Sequence, residues 1–340
     1  MAERGGVRLE DVARAAGVSV ATASRALNGS TRRVRPEHSE RVAAAAAELG
    51  YLPDAHAQAM ARGTTTVVSL VVGDITDPYF AEIASGAMRA ADRAGLVLVI
   101  TSTGGEPERE ATVLQSTAVL RPRAVVLAVS RRTDGSAESG IRTLHDRGAS
   151  VVALVSDDSD APGIDVATPL TIRNRAGAAS LAGALVDEGH RDFVVLAGDP
   201  DVVTARARTA GFVAGLARRG LELPETSVTA GPFTRDGGYA AMARLLASGH
   251  RPGCVFAVND VTAVGALAAI RDHGLEPGAD VAVAGFDDVR MLADVVPALS
   301  TVRLPLDTIG ETAVRRALGE DVATVFDGEV VLRQSTRRTG

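Results

Sequence analysis

Seven short apolar runs, separated by alanine-rich stretches, constrain most strongly what this chain can fold into. Near-continuous apolar strands of this kind are buried on both faces, which is typical of parallel sheets covered by helices on each side. The sequence therefore predicts an α/β body from residue 66 onward. Its strands are expected at Val67 to Val72, Leu96 to Thr101, Ala124 to Val129, Val151 to Val155, Phe193 to Ala197, Val255 to Val258 and Val281 to Gly285.

The segment before this body, from Leu9 to Gly29, predicts two short helices joined by a turn at Gly17. The first helix has apolar residues at the i, i+3, i+4, i+7 spacing of one buried stripe, namely Leu9, Val12, Ala13 and Ala16. The second is expected to start after Ser19, whose hydroxyl can accept from the unpaired N–H groups of a first helical turn. With Val18, Ala23 and Leu27 turned inward, the outward face carries Val20, Ala21, Ser24 and Arg25. This is the arrangement of a helix-turn-helix, whose second helix enters the DNA major groove.

A long motif supports this interpretation: DVARAAGVSVATASRALNG at residues 11–29, then a helix that starts at Pro36 and ends in ELGYLP, then a short alanine-rich segment. At these residues the chain resembles the lac-repressor (LacI/GalR) family of bacterial transcription regulators, and the resemblance continues to Arg333, Gln334 and Ser335. It implies an all-α helix-turn-helix head followed by a periplasmic-binding-protein-like body of two Rossmann-like subdomains. The alternative is a small helical corner of an enzyme.

The resemblance also implies the domain boundaries. Residues 1–52 are expected to form the DNA-binding domain, residues 53–65 a hinge helix and linker, and residues 66–340 the domain for effector binding and dimerisation. Within that last domain, the first subdomain is expected at about 66–162 and 290–319, and the second at about 163–289 and 320–340. Arg8 and Arg35 stand where the family commonly has a Ser or Thr cap, so both helix starts are expected to be weak.

The charge distribution fits a chain that touches DNA at one end. The net charge is −6, but residues 1–63 hold 9 Arg against 7 acidic residues, which gives +2 and leaves −8 for the rest. Arg25 is expected to donate to a guanine, small apolar residues to contact bases, and hydroxyls to bind phosphates. Met60 matches the hinge leucine that the family inserts into the minor groove, whereas Asp54 stands where asparagine is common. The predicted DNA contacts are Ser19, Val20, Ala21, Thr22, Ser24, Arg25, Asn28 and Met60. Arg32, Arg33 and Arg35 either contact phosphates or form a solvated charged loop.

Polar and aromatic side chains follow several of the predicted strands, where ligands collect in open parallel sheets. Hydrogen-bonding groups and aromatic faces together favour a sugar or sugar-like metabolite. The predicted effector contacts are Asp77, Tyr79, Phe80, Arg208, Phe233, Asn259 and Asp287, with Arg206 in reserve for Arg208. The alternative for Asp77, Asn259 and Asp260 is that they are only helix caps. Asp288 is interpreted as structural, and Asn174 as a cap or a residue of the cleft edge. Arg173 replaces a common family Asp, which leaves an anionic or phosphorylated ligand open.

Composition and motifs argue against other classes. The single cysteine, Cys254, excludes an internal disulfide and a cysteine-based zinc finger, and the sequence gives no reason to expect a cofactor or a metal. We find no G-x-S-x-G, P-loop or H-E-x-x-H motif, so an enzyme is not expected. A secreted solute-binding protein would need a signal peptide, and the polar start MAERGG does not provide one. The chain is therefore expected to be a cytoplasmic homodimer that binds a palindromic DNA operator and a small-molecule effector, without membrane contact.

Overall fold

The computed structural model describes residues 7–28, 34–51, 65–129, 137–157 and 165–337, except the side chains of Asn28 and Pro107. The chain divides into two compact units, Met1–Thr66 and Val67–Gly340, which we call the head and the body. The predicted hinge with Asp54 and Met60 lies outside the described residues, as do Arg32 and Arg33. What was predicted for them stays a prediction.

The head contains three described helices: α1 (Leu9–Ala15), α2 (Val20–Asn28) and α3 (Pro36–Leu49). They pack around fully buried Val12, Ala23 and Val42. Gly17 has a φ of 62°, which allows the tight turn between α1 and α2. Ser19 Oγ accepts from the Thr22 N–H at 3.2 Å, so the predicted cap of the second helix is confirmed.

The two helix starts that were expected to be weak have partial substitutes for a capping hydroxyl. At α1, the Asp11 carboxylate accepts from the Arg8 backbone N–H at 3.0 Å. At α3, the Arg35 side chain makes no capping hydrogen bond, but Pro36 occupies the first helical position, where a missing N–H leaves no donor unpaired. Gly50, with a φ of 63°, ends α3 as predicted.

The body is built from two parallel sheets and one antiparallel strand pair. All seven predicted strands are present, with small shifts at their ends. The described strands are β1 (Val67–Val72), β2 (Val97–Ser102), β3 (Ala124–Ala128), β4 (Ser150–Ser156), β5 (Thr168–Ile172), β6 (Phe193–Gly198), β7 (Val228–Ala230), β8 (Cys254–Ala257), β9 (Ala282–Ala284), β10 (Thr301–Arg303), β11 (Val325–Phe326) and β12 (Glu329–Val331). The first sheet has the order β11-β5-β4-β3-β1-β2, the second the order β7-β6-β8-β9, and β10 pairs with β12.

Two strands extend the first sheet beyond the segments expected for it. β5 and β11 were included in the second subdomain, at 163–289 and 320–340, but both pair in the first sheet. The sequence of β5 does not resemble that of a buried strand, because Pro169 has no N–H to donate to a neighbouring strand. The N–H groups that β5 directs toward the β11 side are those of Thr171 and Arg173, and β11 is too short to reach Pro169. The proline therefore breaks no hydrogen bond there.

Helices cover both faces of each sheet, as the apolar strands predict. The described helices of the body are α4 (Pro78–Arg93), α5 (Pro107–Val119), α6 (Glu138–Asp146), α7 (Asn174–Asp187), α8 (Val203–Arg218), α9 (Arg235–Ala247), α10 (Asp260–Asp272) and α11 (Leu306–Ala317). The outer faces of the two sheets pack on α5 with α6 and on α9 with α10. The largest core cluster joins the inner faces with α4, α11, α7 and α8. None of the described helices has an apolar stretch long enough to cross a lipid bilayer.

Glycines allow the helices of each pair to approach very closely. A Cβ on Gly86 of α4 would overlap the carbonyl oxygen of Asp307, and a Cβ on Gly310 of α11 would overlap that of Ile83. The pair α9 and α10 has the same reciprocal arrangement, and Gly211 of α8 lies against the backbone of α7. Such backbone contact leaves little room for the paired helices to move separately.

Replacing Gly86 by alanine tests this close packing. We expect Gly86→Ala to lower the free energy of unfolding by about 1 to 3 kcal/mol because the new methyl group must push two helix backbones apart. The matched control is Gly231→Ala, since no atom lies within 4 Å of a Cβ at Gly231 and its φ is not positive. Urea denaturation of both variants measures the difference, and equal stability of the two would refute the packing interpretation.

Candidate functional site

A cavity of about 580 Å³ opens in the body where strands of both sheets end. Ligand sites of open α/β sheets lie outside the carboxyl ends of the strands, and cavities of this size hold small molecules. The loops after β1 and β2 line one side, and the loops after β6, β7 and β9 line the other together with α8. The lining residues are Gly73, Asp74, Thr76, Asp77, Tyr79, Phe80, Thr103, Gly104, Gly105, Glu110, Val129, Asp199, Val202, Thr204, Arg208, Pro232, Phe233, Thr234, Arg235, Asp236, Val261 and Asp287.

Arg208 is the best-fixed polar side chain of this cavity. It is only 1% exposed, on the first half of α8. Its guanidinium donates from Nε to Asn174 Oδ1 at 2.9 Å, from one terminal nitrogen to the Val258 carbonyl at 2.8 Å and from the other to Asp287 Oδ1 at 2.7 Å. It also lies 4.0 Å from the centre of the Phe286 ring. The side chain is thus held in one orientation before any ligand binds.

Asp287 faces the cavity in a strained backbone conformation. Its φ is 121°, in a region that side-chain-bearing residues rarely adopt, and such strain clusters at ligand sites. Burial raises the pKa of Asp287 well above its ordinary value, and the nearby Arg208 guanidinium opposes that rise. The carboxyl group is therefore poorly hydrated and is available to accept from a ligand.

The loop after β1 brings a carboxylate and two aromatic rings to the cavity. Asp77 caps α4 by accepting from the Tyr79 N–H at 2.9 Å, and Pro78 takes the first helical position. Tyr79 and Phe80 contact each other edge to face, with ring centres 5.0 Å apart. Burial, with a smaller contribution from the Asp287 carboxylate, raises the pKa of Tyr79, so its hydroxyl remains protonated and can donate. Asp77 is thus both a cap and a cavity residue.

Phe233 supplies an aromatic face from the second sheet's side. It follows β7 and lines the cavity, where it is half-buried. Its ring lies so close to Gly198 that a Cβ there would meet it at 2.7 Å. The Gly198 position, at the end of β6, therefore lets the ring enter the cavity.

The start of α7 explains how the chain tolerates Arg173. Arg173 pairs with Asp327 at 3.1 Å and does not line the cavity. The carboxylate of Asp157, at the end of β4, accepts instead from the backbone N–H groups of Arg175 and Ala176, at 2.9 and 3.3 Å. A distant acid thus caps α7, and Arg173 gives no support to an anionic ligand.

The head presents the predicted outward face of α2. Val20 is 45% exposed, and Ser19, Ala21 and Arg25 are exposed beside it, while Ala23 is fully buried. Thr22 and Ser24 are half-buried on the same helix. Asn28 ends α2, but its side chain lies outside the described part.

Comparison with known proteins agrees with both units. The family model for bacterial regulatory proteins of the lacI family matches residues 8–54, and the model for a periplasmic binding protein-like domain matches residues 182–336. The ribose operon repressor of Escherichia coli strain K12 is 31% identical over 307 residues, which cover 90% of each chain.

The chain belongs to the LacI family.

Two solved structures of transcriptional regulators match almost the whole chain. The lac repressor dimer bound to operator and the anti-inducer ONPF has a TM-score of 0.82 at 26% identity, covering 98% of this chain and 99% of that one. The regulator CelR in complex with cellobiose has a TM-score of 0.69 at 28% identity, covering 97% and 99%. The predicted fold class, a helical head and a body with two parallel sheets, is confirmed.

Two residues considered for the effector do not line the cavity in this LacI-family body. Asn259 caps α10, since its Oδ1 accepts from the Thr262 N–H at 2.9 Å. Its Nδ2 is buried without a hydrogen-bond partner among the described residues. Arg206, the reserve for Arg208, is exposed on α8. The cavity therefore gives Arg208 the central position, and an effector role of Asn259 stays a prediction.

Asp260 and Asp288 hold the loop that carries Asp287. Asp260 is 1% exposed and accepts from Thr301 Oγ1 at 2.6 Å and from the Val289 N–H at 3.0 Å. Asp288 accepts from Arg303 and from Arg333, each at 2.7 Å. Although burial raises it, the hydrogen bonds from these two arginines bring the pKa of Asp288 below its ordinary value. Both carboxylates are structural.

Sequence reasoning missed several lining residues. Thr103, Gly104 and Gly105 follow β2 at the same sheet edge as the predicted sites, so their position after a predicted strand was an available signal. Thr204 and Arg235 lie in the first turns of α8 and α9 and matched no motif used to identify the site.

The buried Asp260 predicts a pH dependence of stability. Burial raises its pKa to about 6, whereas the unfolded value is 3.8. The folded protein therefore holds the proton more tightly, and the free energy of unfolding falls as pH rises from 4 to 7. Relative to an Asp260→Asn variant, the native chain should lose about 2 kcal/mol over that range. Urea titrations at several pH values measure this difference, and a flat difference would reject the assignment.

Proposed function

We propose that this chain is a transcriptional repressor that binds a palindromic operator as a homodimer and responds to a polar small molecule, a sugar or sugar derivative, in the body cavity. The observation that carries the proposal is that one chain combines an exposed, arginine-bearing second helix with a cavity whose central arginine is already oriented. A solute receptor would use the cavity alone, and the folded head distinguishes the two functions. We infer that the chain binds its ligand without converting it.

The exposed face of α2 supports sequence-specific reading of DNA. Val20 and Ala21 offer small apolar contacts to bases and to a thymine methyl group, and Arg25 can donate two parallel hydrogen bonds to a guanine. Thr22 and Ser24 suit phosphate contacts that set the register. A pair of heads would read two half-sites of one inverted repeat.

The cavity supports recognition of neighbouring hydroxyl groups. A guanidinium has five N–H groups, and the three hydrogen bonds of Arg208 leave two of them for a ligand. Asp287 and Asp77 can accept from ligand hydroxyls, and Phe233 can cover an apolar ring face. Ribose and cellobiose appear in the names of one relative and one similar structure, which supports a sugar-like effector.

Control by the effector requires only a difference in its affinity for the DNA-competent and DNA-incompetent states. A coupling free energy of about 1 to 3 kcal/mol is sufficient for a regulatory response. The cavity has the means for this, since its lining residues come from both sheets and a ligand can fix their relative position.

The decisive experiment is selection of bound sequences from a random duplex library at moderate salt, with the purified full-length chain. We expect an enriched inverted repeat, and its affinity should change when a ligand from a metabolite thermal-shift screen is added. A ligand at 100 times its dissociation constant stabilises by about 2.7 kcal/mol, which such a screen detects. Absence of any preference over random DNA, with and without ligand, would refute the proposed function.

Arg25 provides a test of base reading. Arg25→Ala should cost about 1 to 3 kcal/mol in operator affinity and relax specificity at one base position of each half-site. Arg14→Ala is the control, because Arg14 is also exposed on the head but lies on α1, where its partner is Asp11. Fluorescence anisotropy with single-base operator variants measures both. An equal loss across all base variants would make Arg25 a phosphate contact.

A further inference from the structure

Two carboxylates of the cavity have only neutral donors as partners. Asp74 Oδ1 accepts from the N–H and the hydroxyl of Thr76 at 2.9 and 2.8 Å, and Asp77 Oδ1 accepts from the Tyr79 N–H. Within the described residues neither carboxylate forms an ion pair. Both lie in the loop after β1 and line the cavity. Their second oxygens are therefore available to a ligand.

The described cations of the cavity are already neutralised. Arg208 pairs with Asp287 at 2.7 Å, and Arg235 pairs with Asp236 at 2.8 Å, and all four residues line the same cavity. Among the described residues that line the cavity, the six carboxylates therefore outnumber the two arginines. Such a cleft repels an anionic group and attracts a positive one.

The surroundings of Asp77 increase this preference. Burial raises the pKa of Asp77, the Arg208 guanidinium lowers it, and the neighbouring Asp74 carboxylate raises it again. A poorly hydrated carboxylate gains more from a charged donor than an exposed one does. No group of three His, Cys, Asp or Glu side chains in the described part of the chain is arranged to hold a metal, so an organic cation suits the position better. Tyr79 adds an aromatic ring beside it.

We propose that the ligand of the body is a polyhydroxylated small molecule that carries a basic nitrogen, and that Asp77, with Asp74 beside it, determines this specificity. The inference rests on the proposed function, because it describes the ligand of the same cavity. It narrows the ligand to an amino or imino sugar class and excludes a phosphorylated sugar.

A ring-matched panel tests the charge preference directly. Isothermal titration of the full-length chain with D-glucosamine, D-glucose and D-glucose 6-phosphate should give the tightest binding for the amine, about tenfold over glucose, and the weakest for the phosphate. In Asp77→Asn the amine should lose its advantage over glucose, while the helix cap is kept because asparagine caps as well as aspartate. Asp192→Asn is the control, since Asp192 also accepts from a backbone N–H, that of Gly253, but lies outside the cavity. Tighter binding of the phosphate, or an unchanged amine preference in Asp77→Asn, would overturn the inference.

A second measurement does not depend on the sugar skeleton. The chain has no tryptophan, so Phe233→Trp places a single fluorescent reporter in the cavity. After each ion's quenching constant is divided by its value for free N-acetyltryptophanamide, caesium should quench this reporter several-fold more efficiently than iodide, with acrylamide as the neutral reference, because the cation is concentrated in the cleft. In the Asp74→Asn, Asp77→Asn background the two ions should become nearly equal. Iodide quenching as strong as caesium quenching in the parent reporter would overturn the inference even if none of the three sugars binds.

The two proposals can fail separately. Operator binding of the same preparations is measured by anisotropy beside each titration. If the chain binds one operator selectively but does not prefer the amine to the neutral and phosphorylated sugars, only the inference of a basic ligand is refuted. Loss of operator preference over random DNA refutes the repressor function, whatever the quenching shows.

Discussion

The buried guanidinium of Arg208 is the interaction on which the rest of the site depends. A guanidinium cannot give up its proton, so its burial is tolerated only if carboxylate and carbonyl acceptors surround it. The acceptors come from the start of α7, the end of β8 and the loop after β9. Three parts of the body must therefore converge before the charge is stable. The same contacts hold the strained Asp287 toward the cavity, so the packing that stabilises the charge also forms the site.

Helix α4 links the cavity to the segment after β9, which carries Asp287 and Arg290. Its first turn brings Tyr79 to the cavity, and one turn later Glu82 accepts from the Arg290 N–H at 2.6 Å, just after the Asp287 loop. Gly86 then locks α4 against α11, to which Asp307 belongs, and Asp307 pairs with Arg290 at 3.2 Å. A ligand that contacted Asp77 and Asp287 together would bridge the start of α4 and the loop that leads to Arg290, and Arg290 contacts both α4 and α11.

Sequence reasoning succeeded where one local pattern was sufficient and failed where partners were distant. The apolar runs predicted the buried strands, and Ser19 predicted a helix start, because both signals lie within a few residues. β5 was not predicted, because a proline such as Pro169 normally interrupts a strand. Only the structure shows that β11 is too short to pair with Pro169. Arg173 looked like a change in ligand chemistry, yet Asp157, sixteen positions away, supplies the missing cap. Arg208 could be identified from its motif, but its three acceptors could not be read from sequence spacing. Asn259 fits both a cap and a ligand contact in sequence; the structure shows the cap, and the ligand contact stays a prediction.

The charge distribution gives a reason for the proposed dimer. Residues 1–63 carry a net charge of only +2, and the remaining residues carry −8. Few phosphate contacts release few counterions, so one head gives weak binding that physiological salt reduces further. The acidic remainder adds no attraction for DNA, and screening beyond about 8 Å makes its repulsion short-ranged. Tight binding must therefore come from joining two weak heads, in which the second contact becomes intramolecular. Under the proposed function, a ligand that alters the pairing of the two heads would change the affinity strongly, because neither head binds strongly alone.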